Sequence, residues 1–310
     1  MNTTVNTPTG NLVVVGSCNI DLTYRVDQLP QPGETRAGRS AQLGYGGKGA
    51  NQAVMAARLG APVSMVGRVG DDVFGQGVLN NLRAEGIDVS HVWTTPNVAT
   101  GSAAILVDDA GRNSIVAVPG ANALLTPGDL TATGDTFNSA AVLLCQLEVP
   151  LDTALAAIRL ARAAGARTIL NPAPAFPLPD ELLLTADFIV PNETELTLLT
   201  GLPVGDLDQA AAAARELMRR DRGAVIVTLG DRGALLVHGN ETTHFPGISV
   251  VAADSSGAGD AFIGALGALL AARVPLHDSI RKANALAALT VTRSGTQMSF
   301  PTRQEALEVF

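Results

Sequence analysis

Six short, strand-length apolar runs punctuate this chain, and helix-length amphipathic segments follow them. The runs are Leu12–Cys18, Val63–Val69, Ala141–Leu147, Thr168–Leu170, Phe188–Val190 and Ala224–Leu229. The amphipathic segments lie near Ala50–Leu59, Val73–Glu85, Leu151–Ala164, Glu193–Thr200 and Asp208–Arg219. A strand without polar alternation must be covered on both faces, and in a parallel sheet helices provide the cover. The pattern predicts an α/β fold of three layers, α/β/α, around a mostly parallel central sheet. Two further helices are expected near Ala258–Ala272 and Leu276–Thr292.

Two regions, about 20–46 and 98–118, break this rhythm. They hold alternating, strand-like segments, Thr100–Val107 and Ser114–Val118 among them, with no helix between. They are expected to leave the main sheet as a small antiparallel β lid inserted into one domain spanning 1–310. No repeat, low-complexity linker or charge block divides the chain, and the first ten residues read as a frayed tail.

Composition excludes several functions. Hydrophobic residues make up 46% of the 310 residues and charged residues 16%, the reverse of a disordered chain. The net charge of −8 comes with no basic run, so a nucleic-acid backbone is not the expected partner. The longest run of apolar residues plus Gly, Ala261–Ala272, is too short to span a bilayer, and the polar first eleven residues lack the Lys and Arg of a signal peptide. Cys18 and Cys145 read as buried, reduced thiols, and a cytoplasmic location is expected. His91, His238, His244 and His277 have no metal-ligand spacing.

Gly44-Tyr45-Gly46-Gly47-Lys48-Gly49 has the letters of a dinucleotide fingerprint, but the preceding RAGRSAQLGY is not a buried strand. Nor is it a phosphate-binding P-loop, because Gly49 stands where Ser or Thr is needed. Gly46 and Gly47 instead let a ligand approach the backbone closely. Amides at the start of the following helix offer free donors, and Asn51 adds a bidentate side chain. Such a set suits a polyhydroxylated molecule. Asn19-Ile20-Asp21 leaves the first strand at its carboxyl end, where open α/β sheets bind ligands. Alternation puts Asn19 and Asp21 on one face, about 6–7 Å apart, and the carboxylate can accept two hydroxyls.

A second turn, Ala253-Asp254-Ser255-Ser256-Gly257-Ala258-Gly259-Asp260, precedes a strongly apolar helix. Small residues at 257–259 allow consecutive amides to converge on one anion in the positive field of the helix start. Asp260 beside that cradle can take a proton from an attacking hydroxyl, which with a metal is enough for phosphoryl transfer. Asn192 and Glu195 at another helix start either reach nucleotide phosphates and a water-bound Mg²⁺ or simply cap the helix. Thr228–Gly233 joins two apolar strands and either lines a nucleotide site or is only a hairpin turn.

Taken in order, these motifs make the chain resemble the ribokinase-like sugar kinases, the phosphofructokinase-B family, from Val13 to about Thr302. GSCNID, GGKGANQAV, QLEVP, NPAPA, PNETE, TLGDRG, DSSGAGDAF and VTRSGTQMS carry the resemblance. It implies the family's α/β/α fold with its β lid, and ATP-dependent phosphorylation of D-ribose at the 5-hydroxyl. ATP, Mg²⁺ and K⁺ are the implied cofactors, and a homodimer paired through the lid the implied assembly. The resemblance makes Asp260 the base and Gly257, Ala258 and Gly259 the anion hole. Asn19, Asp21, Gly46, Gly47, Lys48, Asn51 and Glu148 correspond to sugar contacts. Asn192, Thr228, Leu229, Gly230, Asp231, Arg232, Gly233, Gly259 and Asn284 correspond to the ATP site, and Glu195 to the Mg²⁺ position, reached through water. Asp254, Ser256, Thr290, Arg293, Gly295 and Ser299 correspond to a potassium site, several of them through backbone carbonyls. The chain departs from the family's pattern at Ser255 and Ser256, often Thr, and at Met298, often Pro. Kinases of 2-deoxyribose, of another sugar or of a nucleoside stay open, as does a catalytically silent sensing protein on the same fold.

Overall fold

The computed structural model describes residues 10–218 and 223–309. Most of the expected N-terminal tail and the last residue of the expected 208–219 helix lie outside the described residues. β1 (Asn11–Val15) leads through Gly16, Ser17 and Cys18 into β2 (Asn19–Arg25) and β3 (Ser40–Gly46), and α1 (Lys48–Arg58) follows. β4 (Val63–Gly70), α2 (Val73–Ala84) and β5 (Asp88–Thr95) precede a hairpin, β6 (Gly101–Val107) and β7 (Asn113–Val118). Next come α3 (Pro127–Thr131), β8 (Ala140–Cys145), α4 (Leu151–Ala163), β9 (Arg167–Leu170), α5 (Asp180–Thr185), β10 (Phe188–Ile189), α6 (Glu193–Thr200) and α7 (Leu207–Met218). β11 (Ala224–Thr228), β12 (Ala234–His238) and β13 (Glu241–Phe245) precede α8 (Ala258–Ala271), α9 (Leu276–Thr290) and α10 (Arg303–Val309).

The main sheet runs β13-β12-β11-β10-β9-β8-β1-β4-β5. From β11 to β5 every pairing is parallel, and β12 and β13 finish one edge as antiparallel strands. Alternate residues of β1 enter the two cores: Leu12 and Val14 pack with α1 and α8, while Val13 and Val15 belong to the core on the other face that also holds α4 and α7. The three-layer expectation holds. β5 is an addition to it, because as an edge strand it is only half covered and DVSHVWTT lacks a continuous apolar run.

A second sheet, β3-β2-β6-β7, forms the lid. β2/β3 and β6/β7 are antiparallel hairpins, joined side by side by a parallel β2/β6 pairing. β1 and β5 run in the same direction, and each is continued into one hairpin, so the two hairpins enter the lid alike. β1 ends at Val15 rather than at Cys18, which places Asn19 and Asp21 on the lid strand β2. Cys18 and Cys145 are buried free thiols, and burial pushes both up to about 12. Among the described residues no helix is long and apolar enough to cross a membrane.

α1 and α8 approach closely because Gly264 has no side chain. A Cβ there would lie 2.5 Å from the Gln52 carbonyl oxygen. That contact sets the register between the two glycine-rich helix starts.

Candidate active site

The turn before α8 is built around Gly257, which takes φ +77° as the helix N-cap. A Cβ at this position would come within 2.8 Å of Thr296 Cγ2 and 3.1 Å of Phe300 Cε1. Only glycine suits both the conformation and the space. Ala258 N donates to Ser255 O at 3.3 Å, and Ala261 N makes the first α-helical bond, to Gly257 O at 2.8 Å. The amides of Gly259 and Asp260 precede that bond and are the orphan donors of a helix start.

Asp260 sits in this first turn, only 8% exposed. Its Oδ2 accepts from Asn51 Nδ2 at 2.9 Å and its Oδ1 from Gln52 Nε2 at 3.0 Å. Both donors lie on α1, so the two glycine-rich motifs meet at one carboxylate. At the very start of α1, Glu148 Oε2 accepts from Ser17 Oγ at 2.5 Å and from Lys48 N at 3.1 Å. Asn19 Oδ1 accepts from Asn122 Nδ2 at 2.7 Å. Gly46 leaves room for the Asp21 carboxylate, whose Oδ2 would lie 2.2 Å from a Cβ there.

The charges of these residues are coupled. Burial pushes Asp21 up to about 6, and the carboxylates of Glu148 and Asp260 push the same way. Burial lowers Lys48, but Asp260, Glu148 and Glu195 outweigh it and hold the ammonium above its ordinary value. Burial raises Glu195 against the opposing Asn192 amide and Lys48. Every residue expected to contact the sugar is thus gathered around α1, β2 and the end of β8, with Asp260 facing them from α8.

Of the residues expected at the nucleotide, Asn192 follows β10, Thr228 ends β11 with Leu229–Gly233 after it, Gly259 lies in the first turn of α8 and Asn284 on α9. Asn192 and Glu195 form a reciprocal capping box: Asn192 Oδ1 accepts from Glu195 N at 2.8 Å and Glu195 Oε2 from Asn192 N at 2.8 Å. Asn192 bridges to Thr228, and Arg232 pairs with Glu193 and donates to Gly205 O at 2.9 Å. Gly230 and Gly233 both take positive φ, while the Leu229 side chain is buried in the core, so it offers only its backbone. Asp231 is exposed. Asn284 Nδ2 donates to Pro246 O at 2.8 Å.

Asp254 ties the two loops expected to hold potassium. Its Oδ1 accepts from Ser256 N at 2.9 Å and its Oδ2 from Gly295 N at 3.0 Å. Burial raises this carboxyl, but those two amides outweigh it and hold it low. The Thr290 and Ser299 hydroxyls bond within their own segments, to Leu286 O and Thr296 O, and the Arg293 guanidinium pairs with Glu305. The side chains of these three residues are thus already engaged, which leaves backbone carbonyls for the expected ion, and the Thr290 carbonyl also accepts from Arg293 N at 3.2 Å. Met298 is 70% exposed, and its Sδ accepts from Gln42 Nε2 of β3 at 3.4 Å, joining this loop to the lid. A cavity of about 580 Å³ opens between the lid and the loops, lined by Asp21, Tyr45, Asp254, Gly295 and Met298 among others. Another, of about 440 Å³, lies among Leu183, Leu199 and Leu217 and contains none of the candidate groups.

Sequence reasoning missed Ser17, Gln52, Asn122, Gln146 and Asn171, which orient the residues it found. Gln52, Gln146 and Asn171 stand within the motifs GGKGANQAV, QLEVP and NPAPA. Their polarity at buried positions was the available signal.

Residues 9–303 match the family described as pfkB family carbohydrate kinase. The chain is 41% identical to the ribokinase of Haemophilus influenzae, covering 96% of this chain and 97% of that one. It is 40% identical to the deoxyribokinase of Salmonella typhi, covering 95% and 97%. The ribokinase structure of Thermotoga maritima superposes with a TM-score of 0.88 at 35% identity, covering 97% and 99%. That of Arabidopsis thaliana ribokinase complexed with ribose and ATP gives 0.88 at 32%, covering 97% and 98%. With its fold, its glycine-rich turns and its full-length relatives in agreement, this chain belongs to the pfkB family of carbohydrate kinases.

Proposed function

We propose that this chain transfers the γ-phosphoryl group of ATP to the 5-hydroxyl of D-ribose. The observation that carries the reading is Asp260, held on both oxygens by Asn51 and Gln52 beside the Gly257–Gly259 turn. In the proposed step Asp260 takes the proton of the attacking hydroxyl. A bond forms between that oxygen and the γ-phosphorus, the bridging bond to the β-phosphate breaks, and ADP leaves. The first-turn amides of α8 hold the charge on the transferred group. Asn19, Asp21, Lys48, Asn51 and Glu148 hold the sugar, and Asn192, Thr228–Gly233 and Asn284 the nucleotide.

The donor sets suit the two implied cations. Glu195 keeps Oε1 outside its capping bond, and a carboxylate reached through water is how Mg²⁺ on a nucleotide is commonly held. Asp254 and the neighbouring carbonyls are oxygen donors of the kind a K⁺ ion takes. Mg²⁺ would supply charge stabilisation at the phosphates, and K⁺ would act indirectly by holding the Gly257–Gly259 turn in place. The whole chain acts as one catalytic unit with the lid as its insertion. All six residues of β7 are exposed, and Ile115, Val116 and Val118 on this lid edge support a homodimer paired there. Buried, unpaired thiols agree with a reducing cytoplasm.

Ribose is preferred over 2-deoxyribose in this reading because Asp21 and Asn19 crowd one face of β2 with hydroxyl partners. A buried polar group left without its partner costs about 1–3 kcal/mol. The 40% identity to a deoxyribokinase is the observation that favours the second reading. A panel of ribose, 2-deoxyribose, fructose, fructose 6-phosphate and adenosine with ATP decides. The highest kcat/KM is expected for ribose; equal or better turnover of 2-deoxyribose would reassign the substrate.

A further inference from the structure

We infer that Gln52, and Gln146 acting through it, are positioning residues that fix the orientation of the Asp260 carboxylate. The inference rests on the proposed role of Asp260 and adds the machinery that sets it.

Gln52 is fully buried, and its side-chain amide is engaged on every side. Nε2 donates to Asp260 Oδ1 at 3.0 Å and to Asn171 Oδ1 at 3.3 Å, while Oε1 accepts from Gln146 Nε2 at 2.6 Å. Asn171 is held in turn by donating to Val190 O at 3.0 Å. The chemistry of the carboxylate dictates the direction of this chain. An ionised Asp260 only accepts, so Gln52 must present nitrogen to it. Gln52 then presents oxygen to Gln146, which must answer with its own nitrogen.

The far end of the chain bears the cost. Among the described residues, Gln146 Oε1 is buried with no hydrogen-bond partner. It faces Gly16, where a Cβ would lie 2.1 Å away. A core built only for packing is better served by an apolar side chain of the same shape. The amide is instead oriented as Asp260 requires. Gln146 and Asn171 follow the carboxyl ends of β8 and β9, so the relay anchors the base to the main sheet independently of the helix start that carries it. Asn51 restrains the other oxygen, and Gln297 Nε2 fixes Asn51 by donating to its Oδ1 at 3.0 Å.

The test uses Gln52→Met, Gln146→Met and the double variant of the full chain, with steady-state kinetics and thermal melting. Gln52→Met is expected to lower kcat about 10–100-fold while the KM values for sugar and ATP stay within about threefold. Gln146→Met should lower kcat about 3–10-fold with its melting temperature nearly unchanged. The double variant should match Gln52→Met within about twofold, because Gln146 has no route to Asp260 except through Gln52. Multiplying losses in the double variant, or either folded single variant with wild-type kcat, would overturn the inference. If Gln52→Met does not fold, Gln146→Met decides alone: a lower kcat at constant KM supports the relay, and a wild-type kcat or a parallel rise in KM overturns it. A wild type inactive on every sugar is a different failure, that of the kinase reading itself.

Discussion

Asn122 Nδ2 stands 2.7 Å from Asn19 Oδ1, while Asn122 Oδ1 accepts the Cys18 amide at 2.9 Å. One asparagine thereby occupies the oxygen of the other and leaves the Asn19 nitrogen as the donor available to a ligand. Asn122→Ala should raise the KM for ribose about tenfold or more, with the KM for ATP within about twofold, by loss of a buried hydrogen-bond partner. Steady-state titration of each substrate checks this, and an unchanged ribose KM would mean that Asn19 needs no support.

Asp260→Asn should lower kcat by about 10²–10⁴, the range of a general base. The KM for ribose should move far less, since the contacts on β2 and α1 persist. More than about a third of the wild-type kcat at saturating substrates would reduce the carboxylate to a helix-start residue.

Gly257→Ala asks for a Cβ 2.8 Å from Thr296 Cγ2 at a backbone with φ +77°. The turn must shift, and a displacement of about 1 Å in the anion cradle can cost on the order of 10² in rate. A kcat loss of that order with a lower melting temperature is expected. A variant with unaltered kcat would place the phosphoryl group elsewhere.

Asp21 gives a pH signature. Its folded value of about 6 lies above the ordinary 3.8, so it is stabilising to keep the proton when folded. Below about pH 4 both states are protonated and nothing is lost. As pH rises through 6 the folded state must bury a charge, and stability falls. Asp21→Asn should therefore melt higher than the wild type at pH 8, with the gap closing towards pH 4. Ribose binding runs the other way, because the ionised form accepts two hydroxyls. The wild-type KM for ribose should fall between pH 5 and 7, and that dependence should flatten in the variant.

Activity should rise with K⁺ at constant ionic strength, with Na⁺ a poor substitute. An ion held by Asp254 and the 290–299 carbonyls would fix the Gly257–Gly259 amides without touching either substrate, an effect of preorganisation. Tris-chloride assays with and without K⁺ check it, and identical rates would mean that Met298, in place of proline, accompanies a loop that binds no cation.

The fold was legible because buried strands declare themselves as apolar runs, and the glycine turns because few sequences demand small residues so insistently. β5 was hidden by its edge position, where polar side chains interrupt the run. The lid's antiparallel hairpins were readable from alternation, but the parallel β2/β6 seam was not, since it joins segments about eighty residues apart. Gln52 and Gln146 are 94 residues apart, and neither side chain reveals alone that it completes the other. The capping box of Asn192 and Glu195 has the pattern of an ordinary helix start, so its sequence does not distinguish a cap from a phosphate site.

The sheet order has an evolutionary corollary. Strands β1, β4 and β5 build one flank and β8 to β13 the other, so the chain meets its own midline where β1 pairs with β8. Apart from Asp260, the residues assigned to the sugar precede position 150, and those assigned to the nucleotide and cations follow position 190; Asp260 reaches back across, as do Gln297 to Asn51 and Met298 to Gln42. On the proposed assignment, acceptor preference would drift through changes in the first half while the phosphoryl donor is inherited intact in the second. A lineage of such enzymes is free to exchange one sugar for another without having to reinvent how it handles ATP.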